Sequence, residues 1–379
     1  MFVCWGPVTL TGQEIGWSRA GERRGTGGTG KTAVDVYDNL YKRWRPNRFD
    51  AREWVKIATD AGAKYMIFLV KHHDGYCLFD TKLTDYKSTG TQAAWKRDVL
   101  ADIADACHEA GLKLFVYYSQ PDWHHPDYRT ADHPRYIRYL HGQIREILTN
   151  YGRIDGLWFD GLGGKAADWD AEALFGLARG LQPWLLINNR CGLPGDFDTP
   201  EQEIGKLQLD RAWESCITLG TQWSWKPDDT IKSLKECIDT LVTCAGRGGN
   251  LALNTNPMPD GRIEPRQVDR VREIGAWLKM HGESIYDTRG GPVEPQPWGV
   301  TTHRGNTAYV HVLRWTGDTV QVPRLQAPAG RARILTGGDA EVRPSGDGIE
   351  LRVPAAHRQA LDTVIVLHTQ RAETPAGNR

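Results

Sequence analysis

Residues 50–70 read DAREWVKIATDAGAKYMIFLV, a helix pattern followed by a glycine and an apolar run. Asp50 is a residue type that caps helix N-termini, and apolar residues recur at helical spacing over residues 54–61. Gly62 ends the helix. The run 65–70 is apolar throughout, which predicts a strand that is buried on both faces.

The same unit recurs twice further along the chain. Its second copy is the helix 98–110 with the strand 114–118, and its third is the helix 134–151 with the strand 154–159. A glycine stands at the end of each helix, as it does at Gly62. Continuous apolar strands that alternate with helices predict a parallel sheet covered by helices.

The helix–glycine–strand pattern continues less regularly to about residue 287. We expect a strand at the start of the chain, further strands at 184–188, 213–219 and 251–253, and helices at 231–245 and 265–280. About seven strands inside a ring of helices predict an α/β fold, an imperfect (β/α)8-like barrel of the TIM type. A doubly wound sheet is the alternative, but the chain lacks a dinucleotide fingerprint that would support it.

The composition changes near residue 287, where glycines and prolines accumulate and short alternating apolar runs follow. That pattern is typical of an all-β module. We therefore predict four parts. They are a catalytic barrel over 1–287, a linker over 288–297, a C-terminal β-sandwich over 298–370 and a disordered tail over 371–379.

Composition excludes several classes of protein. The chain has 47 Lys+Arg and 47 Asp+Glu, which argues against a nucleic-acid binder driven by phosphate neutralisation. It has no run of about 18 apolar residues, so we predict no membrane span. Its seven cysteines form no CxxC pair and predict neither a disulfide framework nor a zinc ribbon.

Compartment and oligomeric state are not fixed by the sequence. We recognise no signal peptide, and the chain opens directly on a strand pattern. The location is cytoplasmic as written, with periplasmic or secreted locations as alternatives.

Polar side chains follow the predicted strands, where a barrel of this type carries its active site. Asp160 is the strongest candidate, because it ends the fourth strand after two aromatic residues and before a glycine. A helix cap or a structural loop residue is the alternative interpretation of Asp160. Glu201 lies in a loop with several carboxylates, so a solvated surface residue is its alternative interpretation, and Glu203 and Glu214 are its rivals.

His72 and His73 are adjacent, and adjacent strand residues point to opposite faces of a sheet. The geometry can relax at the end of a strand, but we expect the two histidines to hydrogen-bond to a substrate hydroxyl rather than to share a metal ion. Together with the tyrosines and the arginine at the other strand ends, these groups suit general acid/base chemistry on a polar, uncharged substrate.

Residues 25–32, GTGGTGKT, match the P-loop pattern letter for letter. A phosphate-binding loop requires a buried strand before it and a helix after it. The residues before the match do not form a strand pattern, and those after it show no helical stripe. We interpret the stretch as a flexible glycine-rich loop, with a nucleotide-binding protein as the disfavoured alternative.

One ordered set of short segments is specific in combination, although each segment is weak alone. In chain order the set is Trp5-Gly6-Pro7, Asp60-Ala61-Gly62-Ala63-Lys64-Tyr65, Lys71-His72-His73-Asp74-Gly75, Thr84-Asp85-Tyr86, Ala110-Gly111-Leu112-Lys113 with Tyr117-Tyr118-Ser119, Leu157-Trp158-Phe159-Asp160-Gly161, Asn189-Arg190, Thr199-Pro200-Glu201, Trp213-Glu214, and Gly249-Asn250-Leu251 through Asn254 to Pro259-Asp260-Gly261. By this set the chain resembles the α-L-fucosidases of glycoside hydrolase family 29.

The resemblance implies a retaining exo-glycosidase that acts on fucosylated oligosaccharides or glycoconjugates and needs no metal or organic cofactor. Asp160 then corresponds to the nucleophile and Glu201 to the general acid/base, with Glu203 and Glu214 held in reserve. The residues implied in sugar binding are His72, His73, Tyr117, Arg190, the further carboxylate Glu14, and Trp223, which packs against the pyranose.

One position departs from the family pattern. The family usually has a histidine just before the Trp-Gly of the first strand, and here that position is Cys4. A thiol is a weak hydrogen-bond donor. Two alternatives therefore remain open, an α-galactoside-type exo-glycosidase on the same scaffold and a non-catalytic fucose-binding protein.

Overall fold

The structure, a computed structural model, describes residues 1–21 and 30–368. Its chain forms two compact units. The first comprises residues 1–199, 216–232 and 252–272, and the second comprises 200–215, 233–251 and the described residues from 273 onward. The predicted domain boundaries stay a prediction. The predicted tail and residues 25–29 of the P-loop-like stretch lie outside the described part of the chain.

An eight-stranded sheet forms a nearly closed barrel. Its strands are β1 Phe2–Val3, β2 Tyr65–Lys71, β3 Lys113–Ser119, β4 Gly156–Asp160, β5 Leu186–Ile187, β6 Phe197–Asp198, β7 Ala212–Thr218 and β8 Asn250–Thr255. They follow the order β5-β4-β3-β2-β1-β8-β7-β6. The five ladders β5–β4, β4–β3, β3–β2, β2–β1 and β1–β8 are parallel. Asn188, the residue after β5, forms a single parallel bridge with Phe197 of β6. The predicted barrel is confirmed, with eight strands rather than about seven.

The predicted helix–glycine–strand units are confirmed in order. The α-helices are α1 Val34–Tyr37, α2 Ala51–Asp60, α3 Val99–Ala110, α4 His133–Asn150, α5 Ala166–Trp169, α6 Ala171–Leu181, α7 Leu234–Gly246 and α8 Pro265–His281. Short 3-10 helices lie at Pro7–Thr11, Leu40–Lys42, Gly282–Ser284 and Ala355–His357.

Local capping explains where these helices begin and end. The Asp50 carboxylate accepts the N–H groups of Arg52 and Glu53, which satisfies two otherwise unpaired donors at the start of α2. Gly111 closes α3 in the left-handed conformation, at φ 66°, which costs a glycine little. Between β5 and β7 the chain forms no helix, so the barrel is imperfect there.

Side chains at alternate strand positions fill the inside of the barrel. Phe2, Ile67, Leu69, Phe115, Tyr117, Trp158, Cys216 and Ala252 belong to one buried cluster. Because strand side chains alternate between faces, Asp160 lies on the same face as Trp158, two residues earlier. The alternation therefore brings a carboxylate to the C-terminal end of a barrel strand, where the active site of such barrels forms.

The second sheet is antiparallel and lies wholly in the second unit. Its strands are β9 Arg289–Gly290, β10 Gly299–Arg304, β11 Thr307–Val312, β12 Thr319–Val322, β13 Gly330–Ile334, β14 Asp339–Ser345, β15 Gly348–Arg352 and β16 Thr363–His368, in the order β12-β15-β14-β13-β16-β11-β10-β9. One apolar cluster draws residues from along this sheet, from Val293 to Leu367. The predicted all-β module is confirmed as a single sheet that forms a half-barrel.

None of the seven cysteines forms a disulfide bond, and all seven are buried. Within residues 1–21 and 30–368, no helix has both the length and the apolar character that crossing a membrane requires.

Candidate active site

Asp160 is the centre of the candidate site. It is 8% exposed at the end of β4, and three neighbours approach its two oxygens. The Tyr117 hydroxyl donates to Oδ2 at 2.7 Å, and Arg190 Nη1 donates to Oδ1 at 3.2 Å. His73 Nε2 lies 3.5 Å from Oδ2. Burial, and then the Asp160 charge, raises the pKa of Tyr117 well above its ordinary value, so its hydroxyl stays a donor.

An irregularity at the end of β2 decides where the two histidines lie. Leu69 pairs with Tyr117, but Lys71 pairs with Tyr118, so one residue of β2 has no counterpart on β3. Such a bulge changes which face the following side chains occupy. Lys71 therefore shares a face with Tyr118, whose hydroxyl contacts α4, and His72 can turn towards the barrel interior.

His72 and His73 do not follow the alternation of a regular strand. Their ring centroids are 4.0 Å apart, because both residues follow the end of β2 and the bulge precedes them. The rule of alternation holds only within a regular strand. Burial, and then the charge of His73, lowers the pKa of His72 well below its ordinary value.

The hydrogen bonds of Ser119 define the tautomer of His73. Ser119 has one hydroxyl proton, which it donates to the carbonyl of Pro121 at 2.6 Å. Its oxygen must therefore accept from His73 Nδ1, which lies 2.6 Å away. Burial, and then the charges of Lys71 and Arg190, lowers the pKa of His73 to about 3. A neutral His73 consequently presents the lone pair of Nε2 towards Asp160.

His72, His73 and Asp160 offer three ligand atoms that all lie within 4.8 Å of one another. Two neutral imidazoles and a carboxylate are a donor set that zinc accepts. Arg190, however, already places a cation against the same carboxylate, at 3.2 Å. A metal ion bound there would be repelled by the positive charge of Arg190. That the chain needs no metal stays a prediction.

Arg190 joins two parts of the first unit. Its guanidinium contacts Asp160 through Nη1, while Nε and Nη2 donate to the hydroxyl and the carbonyl of Thr199, both at 2.9 Å. Its carbon Cζ lies 4.6 Å from the ring centre of Trp158, in a cation–π contact. Arg190 therefore links the candidate nucleophile to the first residue of the Thr199-Pro200-Glu201 segment.

The three glutamates named as general acid/base differ in exposure, and all lie in the second unit. Glu201 and Glu203 are exposed, whereas Glu214 is 3% exposed within β7. A group that exchanges protons with a leaving group and with water needs an accessible carboxyl. Exposure therefore favours Glu201 and Glu203 over Glu214, and the choice between them stays a prediction.

Glu14 and Trp223 lie together in the first unit. Both oxygens of the Glu14 carboxylate accept hydrogen bonds from the backbone, among them the N–H of Trp223 at 2.8 Å. The half-buried Trp223 ring lies 5.7 Å from that of Phe2, and the Phe2 ring lies 5.8 Å from that of Tyr117. Cys4 is 3% exposed and donates its backbone N–H to the Asn254 side chain at 3.1 Å.

Sequence reasoning did not single out four residues that support this site. Ser119 holds His73. Trp17 and Trp123 lie against the His73 ring, with centroids 5.6 and 5.0 Å away. Asp122 pairs with the fully buried Lys71 at 3.2 Å. Ser119 stands at the end of β3, so its position was the one available signal.

A hydroxyl donor, a neutral imidazole and one guanidinium surround the Asp160 carboxylate at the end of a barrel strand. Because Arg190 already balances the charge of Asp160, the site suits a polar, uncharged ligand better than a charged one. A nucleophilic carboxylate in such a setting is the means by which retaining glycosidases work. The fold and the site together define a glycoside hydrolase of the barrel type.

Comparison with known proteins narrows this class to one family. The model of the family described as alpha-L-fucosidase matches residues 1–283. Among solved structures, α-L-fucosidase isoenzyme 1 from Paenibacillus thiaminolyticus aligns at a TM-score of 0.88 with 33% identity, over 98% of this chain and 96% of that one. The chain belongs to the α-L-fucosidase family, as its motifs predicted.

Curated relatives agree with this assignment. The α-L-fucosidase of Dictyostelium discoideum is 27% identical over 78% of this chain, and the human plasma α-L-fucosidase is 28% identical over 74%. This chain spans about two thirds of their lengths, 68% and 65% respectively. The predicted family and enzyme class are therefore confirmed, and the α-galactosidase and non-catalytic alternatives are not favoured.

Proposed function

We propose that this chain hydrolyses terminal α-L-fucosyl residues from oligosaccharides or glycoconjugates with retention of configuration. In this proposal Asp160 is the nucleophile and Glu201 the general acid/base. The observation that carries the proposal is the placement of Asp160 at a strand end, between Tyr117, Arg190 and His73. The solved structures that resemble this chain include a trapped covalent intermediate of the Bacteroides thetaiotaomicron α-L-fucosidase in complex with 2-fluoro-fucosyl fluoride.

In the first step a carboxylate oxygen of Asp160 attacks the anomeric carbon. The glycosidic C–O bond breaks, and protonated Glu201 gives its proton to the leaving oxygen. Tyr117 and Arg190 each occupy one oxygen of Asp160, which holds the carboxylate in a fixed orientation while the ester forms. Such positioning removes part of the entropic barrier, because the reacting atoms start close to the geometry of attack.

In the second step water replaces Asp160 at the anomeric carbon. Glu201, now deprotonated, takes a proton from that water, and the ester bond to Asp160 breaks as fucose leaves. Two displacements each invert the anomeric centre, so the product keeps the configuration of the substrate.

The neutral histidines recognise hydroxyl groups in this proposal. The protonated Nδ1 of His73 donates a hydrogen bond to Ser119, so Nε2 carries a lone pair. Nε2 therefore accepts a hydrogen bond from a sugar hydroxyl rather than donating one. A sugar that lacks that hydroxyl leaves the buried nitrogen unpaired, which penalises its binding. Cys4 supplies only a weak donor where the family usually has an imidazole, so the remaining polar groups carry more of the recognition.

The test is release of nitrophenol from an aryl α-L-fucoside, with the aryl α-galactoside assayed alongside. We expect turnover of the fucoside that Asp160→Asn abolishes and that the exposed-surface control Asp105→Asn keeps. Undiminished turnover by Asp160→Asn would overturn the assignment of the nucleophile. The configuration of the first-formed product, followed by NMR, separates retention from inversion.

A parallel set of variants assigns the general acid/base. Removing it slows substrates with poor leaving groups most, because these need the proton, and added azide restores turnover by replacing the activated water. We expect this behaviour from Glu201→Gln and not from Glu203→Gln or Glu214→Gln. The same behaviour in either rival would transfer the role to that residue.

A further inference from the structure

The side-chain amide of Asn188 forms two hydrogen bonds with the residue that precedes the candidate nucleophile. Its Oδ1 accepts the N–H of Phe159 at 2.9 Å, and its Nδ2 donates to the carbonyl of Phe159 at 2.9 Å. Both residues are 0% exposed. Phe159 has one backbone donor and one backbone acceptor, so only one orientation of the amide satisfies both. The two bonds therefore fix the Asn188 side chain and the Phe159 backbone together.

These two bonds continue the ladder between β4 and β5 past the end of β5. Leu157 pairs with Ile187, and the N–H of Asn188 donates to the Leu157 carbonyl at 3.3 Å. In a regular parallel ladder the next two bonds to Phe159 would come from the backbone, from the carbonyl of Asn188 and the N–H of Arg190. Here the amide of Asn188 supplies both the acceptor and the donor. One side chain thus takes the place of two backbone groups of a strand that has already ended.

This replacement lets the two neighbouring strands end at different places. β4 stays in the sheet as far as Asp160, which pairs with Ser119 of β3 on the other side. The chain after Asn188 is free to leave the ladder, and Arg190 places its Nη1 3.2 Å from Asp160 Oδ1. The backbone next to Asp160 is therefore held on the β5 side by the Asn188 amide, while Arg190 serves the carboxylate itself.

We propose that Asn188 is a positioning residue for the nucleophile. The proposal rests on the proposed function, in which Asp160 attacks the anomeric carbon. The Asn188 amide is buried and faces the Phe159 backbone, so it acts on the reaction through β4 and not by touching the sugar. A displacement of about 1 Å in a reacting group can cost about 100-fold in rate. Loss of the amide releases the backbone next to Asp160, and it therefore slows the attack more than it weakens sugar binding.

The experiment replaces Asn188 by leucine, which has a similar shape and forms neither hydrogen bond. We expect kcat/KM of Asn188→Leu for the aryl α-L-fucoside to fall about 100-fold. The inhibition constant of L-fucose reports binding of the sugar without reaction, and it should stay close to the wild-type value. Asn188→Asp keeps an acceptor for the Phe159 N–H, and it takes the place of Asn188→Leu if that variant fails to fold.

Gln182→Leu is the matched control, because Gln182 holds the chain at the opposite end of β4. Its side chain accepts the N–H of Ile154 at 2.9 Å and donates to the carbonyls of Leu148 and Gly152, both at 2.9 Å. Gln182 is 4% exposed, so both variants should lose stability in a thermal melt, but only Asn188→Leu should lose kcat/KM. Equal losses of kcat/KM in the two variants would overturn the proposal. So would an inhibition constant of fucose that rises in proportion to the loss.

Amide hydrogen exchange tests the structural part of the proposal without any measurement of activity. The Phe159 N–H should exchange faster in Asn188→Leu than in the wild-type protein or in Gln182→Leu, because its buried acceptor is gone. Unchanged protection of Phe159 would overturn the proposal. Absence of fucoside turnover by the wild-type protein would instead count against the proposed function, and faster exchange at Phe159 would then still establish that Asn188 holds the end of β4.

Discussion

Replacing Ser119 by alanine tests whether the site depends on the tautomer of His73. The substitution removes the acceptor that lies 2.6 Å from His73 Nδ1. His73 is 1% exposed, so water does not readily replace the lost partner. The ring can then carry its proton on Nε2, facing Asp160 Oδ2 at 3.5 Å, and it loses the lone pair that a sugar hydroxyl would meet.

The size of the effect follows from the hydrogen bond that is lost. Leaving a buried polar group without its partner costs about 1–3 kcal/mol. If this cost falls on substrate recognition, kcat/KM for the aryl α-L-fucoside drops about 5- to 150-fold, at 1.4 kcal/mol for each factor of ten. The ¹⁵N chemical shifts of the ring nitrogens report the tautomer directly.

Ser88→Ala is the matched control for this experiment. Ser88 is also fully buried, and its hydroxyl donates to the Arg97 carbonyl at 2.6 Å. Both variants should lose comparable stability in a thermal melt, whereas only Ser119→Ala should lose activity. Equal activity in the two variants, or an unchanged His73 tautomer in Ser119→Ala, would refute the reasoning.

Three further substitutions probe the groups around the site. Lys71→Met leaves Asp122 buried without its cation, and we expect the free energy of unfolding in urea to fall by about 3–5 kcal/mol; a loss under about 1 kcal/mol would contradict this. Burial raises the pKa of Asp74 to about 6, so the folded state keeps a proton that the unfolded state has lost. Wild-type stability relative to Asp74→Asn should therefore fall by about 2 kcal/mol as the pH rises from about 4 to 6. A flat difference in melts across that range would rule this out. Tyr117→Phe removes a hydrogen-bond donor to Asp160. Because a hydrogen bond to a charged group is worth about 1.5–3 kcal/mol, kcat/KM should fall about 10- to 150-fold. An unchanged rate would show that the bond is dispensable.

The regular part of the fold was predictable because its signals are local. The cap at Asp50 and the glycine at Gly111 mark helix boundaries through chemistry within a few residues. The strand β6 was not predicted. Phe197–Asp198 has two residues, and a run so short carries no periodicity. Its place in the sheet is set by pairing, including the bridge between Asn188 and Phe197, rather than by its own two residues.

The candidate site, like the fold, was predictable only in part. Asp160 was identifiable because it ends a strand whose apolar run is continuous, and the structure brings it together with Tyr117, His73 and Arg190. The shared side of His72 and His73 was not predictable, because it follows from a bulge that only strand pairing defines. The tautomer of His73 requires three atoms in a fixed geometry, which no pattern of letters encodes.

The meeting of β5 and β6 also bears on how the barrel sheet resists edge-to-edge pairing with another strand. An exposed sheet edge offers unpaired backbone groups that can recruit a strand from another molecule. Here both edge strands of the barrel sheet have two residues, and the bridge between Asn188 and Phe197 joins the chain at that seam. Edges this short give an incoming strand too few groups to pair with. The barrel is thereby protected from edge-to-edge aggregation without a complete ladder to close it.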